Sequence, residues 1–409
     1  MAARGTITVH YGLTGVLNAL WGATLPATDA RLDLGAGLLG GLLMALAAGA
    51  LAAMPVAGWL ADRWGGRRVL KAAAPAASFA LTGPALAASV DSLMIAAAVL
   101  GMSMGVLNVA LSVQAVAVER ALARPIMATM HGTWTLGAVA GGAVVTTALR
   151  VGTDARLLMA AGALTLALAM LAAGGKLDEP TPPNPDVRAE SCTVQRSAPL
   201  RPGLVIALGV VGAAAFITEG AATDWAGVHA TRTLGGDPAT GSLVYTVFFA
   251  AMTLVRFVAD AVRARLGAVR TIRLAGGAAT AGYGLVLLAG ALPAAASTRV
   301  ACAIAGWALA GAGMAVVWPI VTSLLGAADG SAQRLSMVTT ISYGGGLIGP
   351  ALIGYVATAV TLPLALMIPA VLALVVAAAA PLLFAAVIRT HTTTSHARRG
   401  ADAPVPRHD

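Results

Sequence analysis

The feature that most confines this chain is the recurrence of apolar runs long enough to cross a bilayer, which takes an α-helix of about 20 residues. They lie at 8–28, 36–60, 70–89, 92–117, 126–149, 154–174, 202–225, 241–262, 270–292, 298–326, 334–358 and 361–388. A soluble protein of 409 residues could not cover itself with 11% charged and 58% hydrophobic residues and a mean hydropathy of +0.84. The polar stretches between the runs are too short for a nucleotide-binding or catalytic domain, so transport driven by ATP within this chain is not expected. The pattern predicts an all-α polytopic membrane protein. Six spans fall in 1–174 and six in 202–388. The linker at 175–201, GKLDEPTPPNPDVRAESCTVQRSAPLR, is too rich in proline and charge to bury an apolar face. A tail at 389–409, with its threonine run and HARRG, is expected to be disordered for the same reason.

Charge placement orients the spans. The net charge of +9 would suggest nucleic acid in a soluble protein, but here the basic residues sit in short loops. With the N-terminus inside, 20 Lys and Arg fall on the inner side, 5 on the outer side and one, Arg256, within a span. Both termini are therefore expected in the cytoplasm, with the protein in the inner or plasma membrane. The first run resembles a signal peptide in having Arg4 before it and small residues near Ala27. Tyr11, Thr14 and Asn18 interrupt it, and its removal would leave an odd number of spans, so it is read as a retained helix. Cys192 and Cys302 fall in the linker and in an apolar run, and no disulfide is expected.

The most charged short segment is GWLADRWGGRRVL, Gly58 to Leu70. Its spacing, Gly58, Asp62, Arg63, Gly65, Arg67 and Arg68, resembles the loop between helices 2 and 3 of the major facilitator superfamily (MFS). The other reading of the segment is a generic positive hairpin, which needs neither the glycines nor the aspartate. The resemblance implies twelve helices in two six-helix bundles, a site near the midplane, and a loop that latches the first bundle on the inner face. Arg265 and Gly267 repeat the Arg63 and Gly65 spacing in the second half, with Asp260 at the Gly58 position and Ala264 at the Asp62 position. Arg256, Asp260 and Arg265 are assigned to the cytoplasmic gate with the first loop. Gly137 to Gly142, and Gly349-Pro350 with Gly354, resemble the glycine- and proline-rich motif of helices 5 and 11, with Ala138 replacing a proline. Those glycines also serve simple close packing of helices in lipid. His131-Gly132, Glu219-Gly220, Asp224-Trp225 and Thr240 to Leu243 look like the bacterial YbjJ-type branch, near rhizopine-permease-like proteins.

Polar residues inside spans are costly, so they should face the bundle interior. Tyr11, Thr14, Asn18 and Trp21 share a face of the first span; Asn108, Ser112 and Glu119 share one of the fourth. A substrate cavity lined by Asn18, Trp21, Asn108, Ser112, His131, Trp134, Tyr245, Trp307, Trp318 and Tyr343 is expected. Interhelical hydrogen bonding and plain packing are the alternatives for each. Trp318 precedes Pro319, which should kink the tenth span. Glu219 is the acidic residue placed more than a turn inside a span, with Asp224 further out, and the two are the candidates for proton coupling.

These residues suggest a secondary transporter working by alternating access. Proton-coupled uptake of a small polar or sugar-like solute is the first reading, and proton-driven efflux of a drug or metabolite the second. A distant third comes from Gly101-Met102-Ser103-Met104-Gly105, which fits G-x-S-x-G and with His131 suggests an intramembrane serine hydrolase. On a helix, Gly101 and Gly105 read instead as a packing face. No enzyme activity, cofactor, metal site or nucleic-acid partner is expected. The expected partners are the lipid bilayer, a small solute and a proton gradient, and the expected state is a monomer.

Overall fold

A backbone amide in hydrocarbon finds no water to bond, so each apolar run must close its hydrogen bonds on itself as a helix. The computed structural model describes residues 2–122, 126–177, 200–328 and 332–401, and every regular element among them is helical. The first bundle holds α1 (Ala2–Gly22), a short α2 (Leu25–Leu32), α3 (Gly35–Trp64), α4 (Gly66–Ala80), α5 (Thr82–Leu86), α6 (Val90–Leu122), α7 (Met127–Arg150) and α8 (Ala155–Gly175). The second bundle opens with α9 (Pro202–Val228), which runs on through a π turn, His229–Thr233. It continues with α10 (Pro238–Ala291), α11 (Ala296–Met314), α12 (Val317–Ala328), α13 (Ala332–Ala359), α14 (Leu362–Ala365) and α15 (Met367–Ala401). Most of the expected linker, 178–199, lies outside the described residues, as does the end of the expected tail, 402–409. From 389 to Ala401 the backbone is helix rather than a structureless tail, because an established helix extends one residue at a time at little cost.

Eleven stretches of described helix are long and apolar enough to cross a membrane. The twelfth crossing is α1, whose 21 residues suffice in length while His10, Tyr11, Thr14 and Asn18 hold its hydropathy down. Within the bundles, α1 packs on α7 and α3 on α6, and in the second half α9 packs on α13 and α10 on α11. Gly101 and Gly105 lie on the α3–α6 contact: a Cβ at either would sit 2.0 Å from Leu46 O or 2.6 Å from Ala50 O.

The repeat between halves is sharpest at two glycines. Gly65 ends α3 by donating its N–H to Ala61 O (2.9 Å) and begins α4 by accepting from the Arg68 N–H (3.1 Å). One residue can serve both helices only in the conformation φ 84°, ψ 139°, which essentially only glycine adopts. Gly267 divides α10 into two spans with φ 77°, ψ 160°, the same solution at the matching place. These two glycines mark one face of the molecule, called here the loop face.

The bundles meet toward the other face. There α7 lies along α10, and α3 along α13. The contact is made of small residues: a Cβ on Gly354 would come 2.3 Å from the Gly40 Cα, and one on Gly227 would come 2.6 Å from Pro26. Thr146 and Ser242 share a hydroxyl hydrogen bond of 2.9 Å across it.

Alanine at Gly65 or Gly267 should cost roughly 1–3 kcal/mol through backbone strain alone, since neither position has a neighbour for the new methyl to strike. Alanine at Gly58, which is helical and also in open space, should be neutral or slightly stabilising. Thermal unfolding of the purified variants should show a lowered midpoint for the first two and none for the third.

Candidate functional site

Between the bundles lies a cavity of about 270 Å³. Its walls follow the helical period. From α1 come Tyr11, Asn18 and Trp21; from α6, Met104, Asn108, Leu111 and Ser112; from α7, His131 and Trp134. The second bundle supplies Phe216, Glu219, Gly220, Thr223 and Asp224 from α9, Arg256 from α10, Trp318 from α12, and Tyr343 and Gly346 from α13. Phe216 and Thr223 stand three before and four after Glu219, so the same spacing rule could have found them in the sequence. Asn108 and Ser112 are exposed on the side toward the loop face, opposite the contact between the bundles.

The two aliphatic hydroxyls in the wall are spent on their own helices. Ser112 Oγ donates to Asn108 O (2.8 Å) and Thr223 Oγ1 to Glu219 O (2.9 Å). Asn18 donates through Nδ2 to Thr14 O (3.0 Å), which leaves its carbonyl oxygen for the cavity. Among the described residues, the side chains of Asn108, Glu219 and Asp224 have no hydrogen-bond partner in the protein. The rings form two groups. Tyr11 meets His131 edge-on at 6.0 Å, while Phe216, Trp318 and Tyr343 cluster with centroids 4.7–6.1 Å apart.

Arg256, expected at the cytoplasmic gate, lines this cavity instead. Its Nε donates to Ala315 O (3.3 Å). In an unbroken helix that carbonyl would accept from residue 319, but Pro319 has no N–H. The tenth span accordingly breaks between Met314 and Val317, as the proline predicts, and the arginine serves the released carbonyl. Glu219 and Arg256 are near enough for each to feel the other's charge, without forming an ion pair.

Two expected lining residues lie elsewhere. Tyr245 is buried where the bundles meet, against Gly22 and Phe249, and Trp307 is buried between Phe248 and Tyr283. Both are aromatic anchors of helix packing, which the sequence does not distinguish from a cavity wall. Glu119 accepts from the Ile126 and Met127 N–H groups (2.9 and 3.2 Å) and caps α7. On the loop face Asp62, Arg63, Gly65, Arg68 and Arg265 are exposed, and Gly58 and Arg67 partly so. Asp62 has no ion pair among the described residues, and Arg63 lies over the Trp59 ring at 5.9 Å. The Asp260 side chain lies outside the described residues. Ser103, the serine of the hydrolase pattern, donates to Val99 O of its own helix (2.9 Å), and His131 meets Tyr11 edge-on, so they form no catalytic pair.

Comparison with known proteins agrees with this architecture. An uncharacterized MFS-type transporter of Yersinia pestis is 31% identical over 373 residues, covering 90% of this chain and 92% of the relative. Membrane protein MosC of Rhizobium meliloti is 28% identical over 377 residues, 91% of this chain and 88% of MosC. Among solved structures, the D-xylose–proton symporter superposes with a TM-score of 0.68 at 15% identity, covering 93% of this chain and 97% of the symporter. The Yersinia relative is named a transporter and the solved structure a symporter. Residues 8–329 match the model of the Major Facilitator Superfamily, and the chain belongs to that family of membrane transporters.

Proposed function

We propose that this transporter takes up a small polar or sugar-like solute together with protons. The observation that carries the reading is the division of the cavity between its two walls. One bundle offers amides and rings, Asn18, Asn108, Trp21 and Trp134, suited to hydroxyl groups and to the apolar faces of a sugar ring. The other places two carboxylates, Glu219 and Asp224, and one guanidinium, Arg256, in the same space. A carboxylate that opens to each side in turn is what coupling to a proton gradient requires. The D-xylose–proton symporter, similar in fold, is by its name a transporter of that kind. Efflux remains the second reading because Leu46, Met104, Leu111 and Leu347 give the cavity an apolar sector.

In this proposal the loop face and both termini are cytoplasmic, in the inner or plasma membrane; the 20-to-5 split of basic residues supports that orientation. The cavity then opens inward in the state described here. The protein works as a monomer, since one chain builds the whole cavity. No cofactor takes part, and the proton gradient supplies the energy. Asp62, exposed and without an ion pair among the described residues, makes its ionic contacts when the loop face closes.

Purified protein in vesicles should show substrate-dependent proton movement across a panel of sugars, polyols and apolar drugs, with inward accumulation for one of the polar compounds. Accumulation confined to the apolar drugs, or solute leaving against its gradient, would favour efflux. Glu219→Gln should keep substrate exchange and lose accumulation driven by a pH gradient; accumulation at the normal level would remove Glu219 from the coupling role. Cysteines placed at Asn18 and Asn108, with Cys192 and Cys302 replaced, should react with small polar thiol reagents, and inertness of both would make them packing residues. Asp62→Asn should insert normally but cycle about tenfold more slowly, since losing one ionic contact of about 1.4 kcal/mol shifts an equilibrium tenfold. An unchanged transport rate would leave Asp62 as a helix-end residue only.

A further inference from the structure

Among the described residues, the ion pairs across the contact that closes the face opposite the loops all belong to Arg232, in a cluster outside the motifs above. Arg232, in the π turn after α9, reaches across to α2. Its Nε donates to Asp29 Oδ2, and its Nη2 donates to Asp29 Oδ1 (2.9 Å) and Asp33 Oδ1 (3.0 Å). The two carboxylates stand one helical turn apart, so a single guanidinium fork spans both. They are not equivalent. The Asp29 side chain is 2% exposed and that of Asp33 92%, so the first pairing is shielded from water on the aspartate side and the second is screened by it.

Both sides of the cluster are built for it. Asp29 Oδ1 also accepts the Gly35 N–H (3.1 Å), which fixes the carboxylate against the start of α3. On the other side the Leu234 N–H bonds to His229 O (3.3 Å), five residues back, which makes the turn wider than an α-turn. One extra residue per turn rotates the chain beyond it by about 100°, and the widened turn takes Arg232 out of the register of α9 toward the other bundle. The close approaches around the cluster are between small residues, Pro26 on Gly227 and Gly241, Gly40 on Gly354, Thr146 on Ser242, while Arg31, Asp154, Arg156 and Asp237 line a cleft on the same face without an ion pair among the described residues. Such surfaces give close approach but little direction. The fork on Asp29 supplies the direction.

We propose that Asp29, Asp33 and Arg232 form the gate of this face: an ion-pair latch, closed in the state described here, that must break before the cavity opens to that side. It is the counterpart of the loop-face latch. Among the described residues Asp62 is without an ion pair while Asp29 is paired, so in the state described here one of the two latches is made. The proposal does not depend on which solute is carried or on whether protons drive it.

The test uses the full chain in lipid nanodiscs, with Cys192 and Cys302 replaced by serine and spin labels at Thr153 and Ser297. Both label sites are exposed on this face, one in each bundle. Without substrate, the distance distribution should be dominated by the short, closed separation. Arg232→Ala and Asp29→Asn should each raise the ratio of open to closed by about tenfold, a pair partly open to water being worth less than a wholly buried one. Asp29→Asn keeps the oxygen that holds Gly35, so the start of α3 survives it. Arg232→Lys, which keeps the charge and loses the fork, should give a smaller shift, and Asp33→Asn less than about twofold. The double variant Arg232→Ala/Asp29→Asn should shift no further than either single one, because both remove the same contact. Distributions like the unmutated protein's in both single variants, or shifts that add in the double, would overturn the latch.

Discussion

In hydrocarbon a backbone carbonyl without a donor costs several kcal/mol, and that penalty governs where this chain can bend. Three interruptions show how it is met. At Gly65 and Gly267 the chain turns at the loop face, where glycine's positive φ lets helix follow helix with the ends still bonded. At Pro319 the break lies deeper, at the cavity, and the released Ala315 carbonyl is met by the guanidinium of Arg256. A charge that would be prohibitive against lipid thus has two reasons to be there: it satisfies the broken helix and it faces the cavity.

The contact between the bundles obeys a different requirement, since it has to hold and also to release. Large interdigitated side chains would make it strong and slow. Gly40 against Gly354, with Gly227 and Gly241 against Pro26, bring backbones together with almost nothing to disengage. Tyr245 and Trp225 anchor the edges of this surface, the latter through Nε1 to Pro350 O (2.8 Å), a bond that stays within one bundle. Rigid bundles joined by a smooth surface favour rocking over local unfolding.

How much of this was legible in the sequence depends on whether the relevant physics is local. Span length, loop charge and the glycine turn are local, and the twelve helices, the Gly65 loop and its Gly267 copy stand where the runs and spacing put them. The break at Pro319 was legible for the same reason. Cavity residues were readable when polar: Asn18, Asn108, Ser112 and Glu219 announce themselves in an apolar helix. Aromatics do not, because Trp307 in the core and Trp318 in the wall differ only in which neighbours surround them. Arg256 was placed wrongly because its partner, the Ala315 carbonyl, lies 59 positions away and exists only once the tenth span has broken. The contact of Arg232 with α2 was hidden more deeply, behind 203 positions of chain and a π turn that composition does not disclose.

The two halves share a backbone plan and have diverged in what they present to the cavity. Glycine positions are held by backbone geometry, which both halves must satisfy, whereas cavity side chains answer only to what they touch. Among the described residues, the charged ones lining the cavity, Glu219, Asp224 and Arg256, sit on the second bundle, and the first contributes amides, hydroxyls and rings. If the bundles move as rigid bodies, distances within one bundle stay constant while distances between them change. The relation of Glu219 to Arg256 is then nearly the same in every state, held by α9 and α10 of one body. What changes is the neutral wall opposite, and with it the access of water and solute. Charge state in such a cavity follows hydration and occupancy rather than the making and breaking of an internal ion pair. In the proposed cycle the state-dependent ion pairs stand at the two faces, where water is at hand to solvate each partner once it is released.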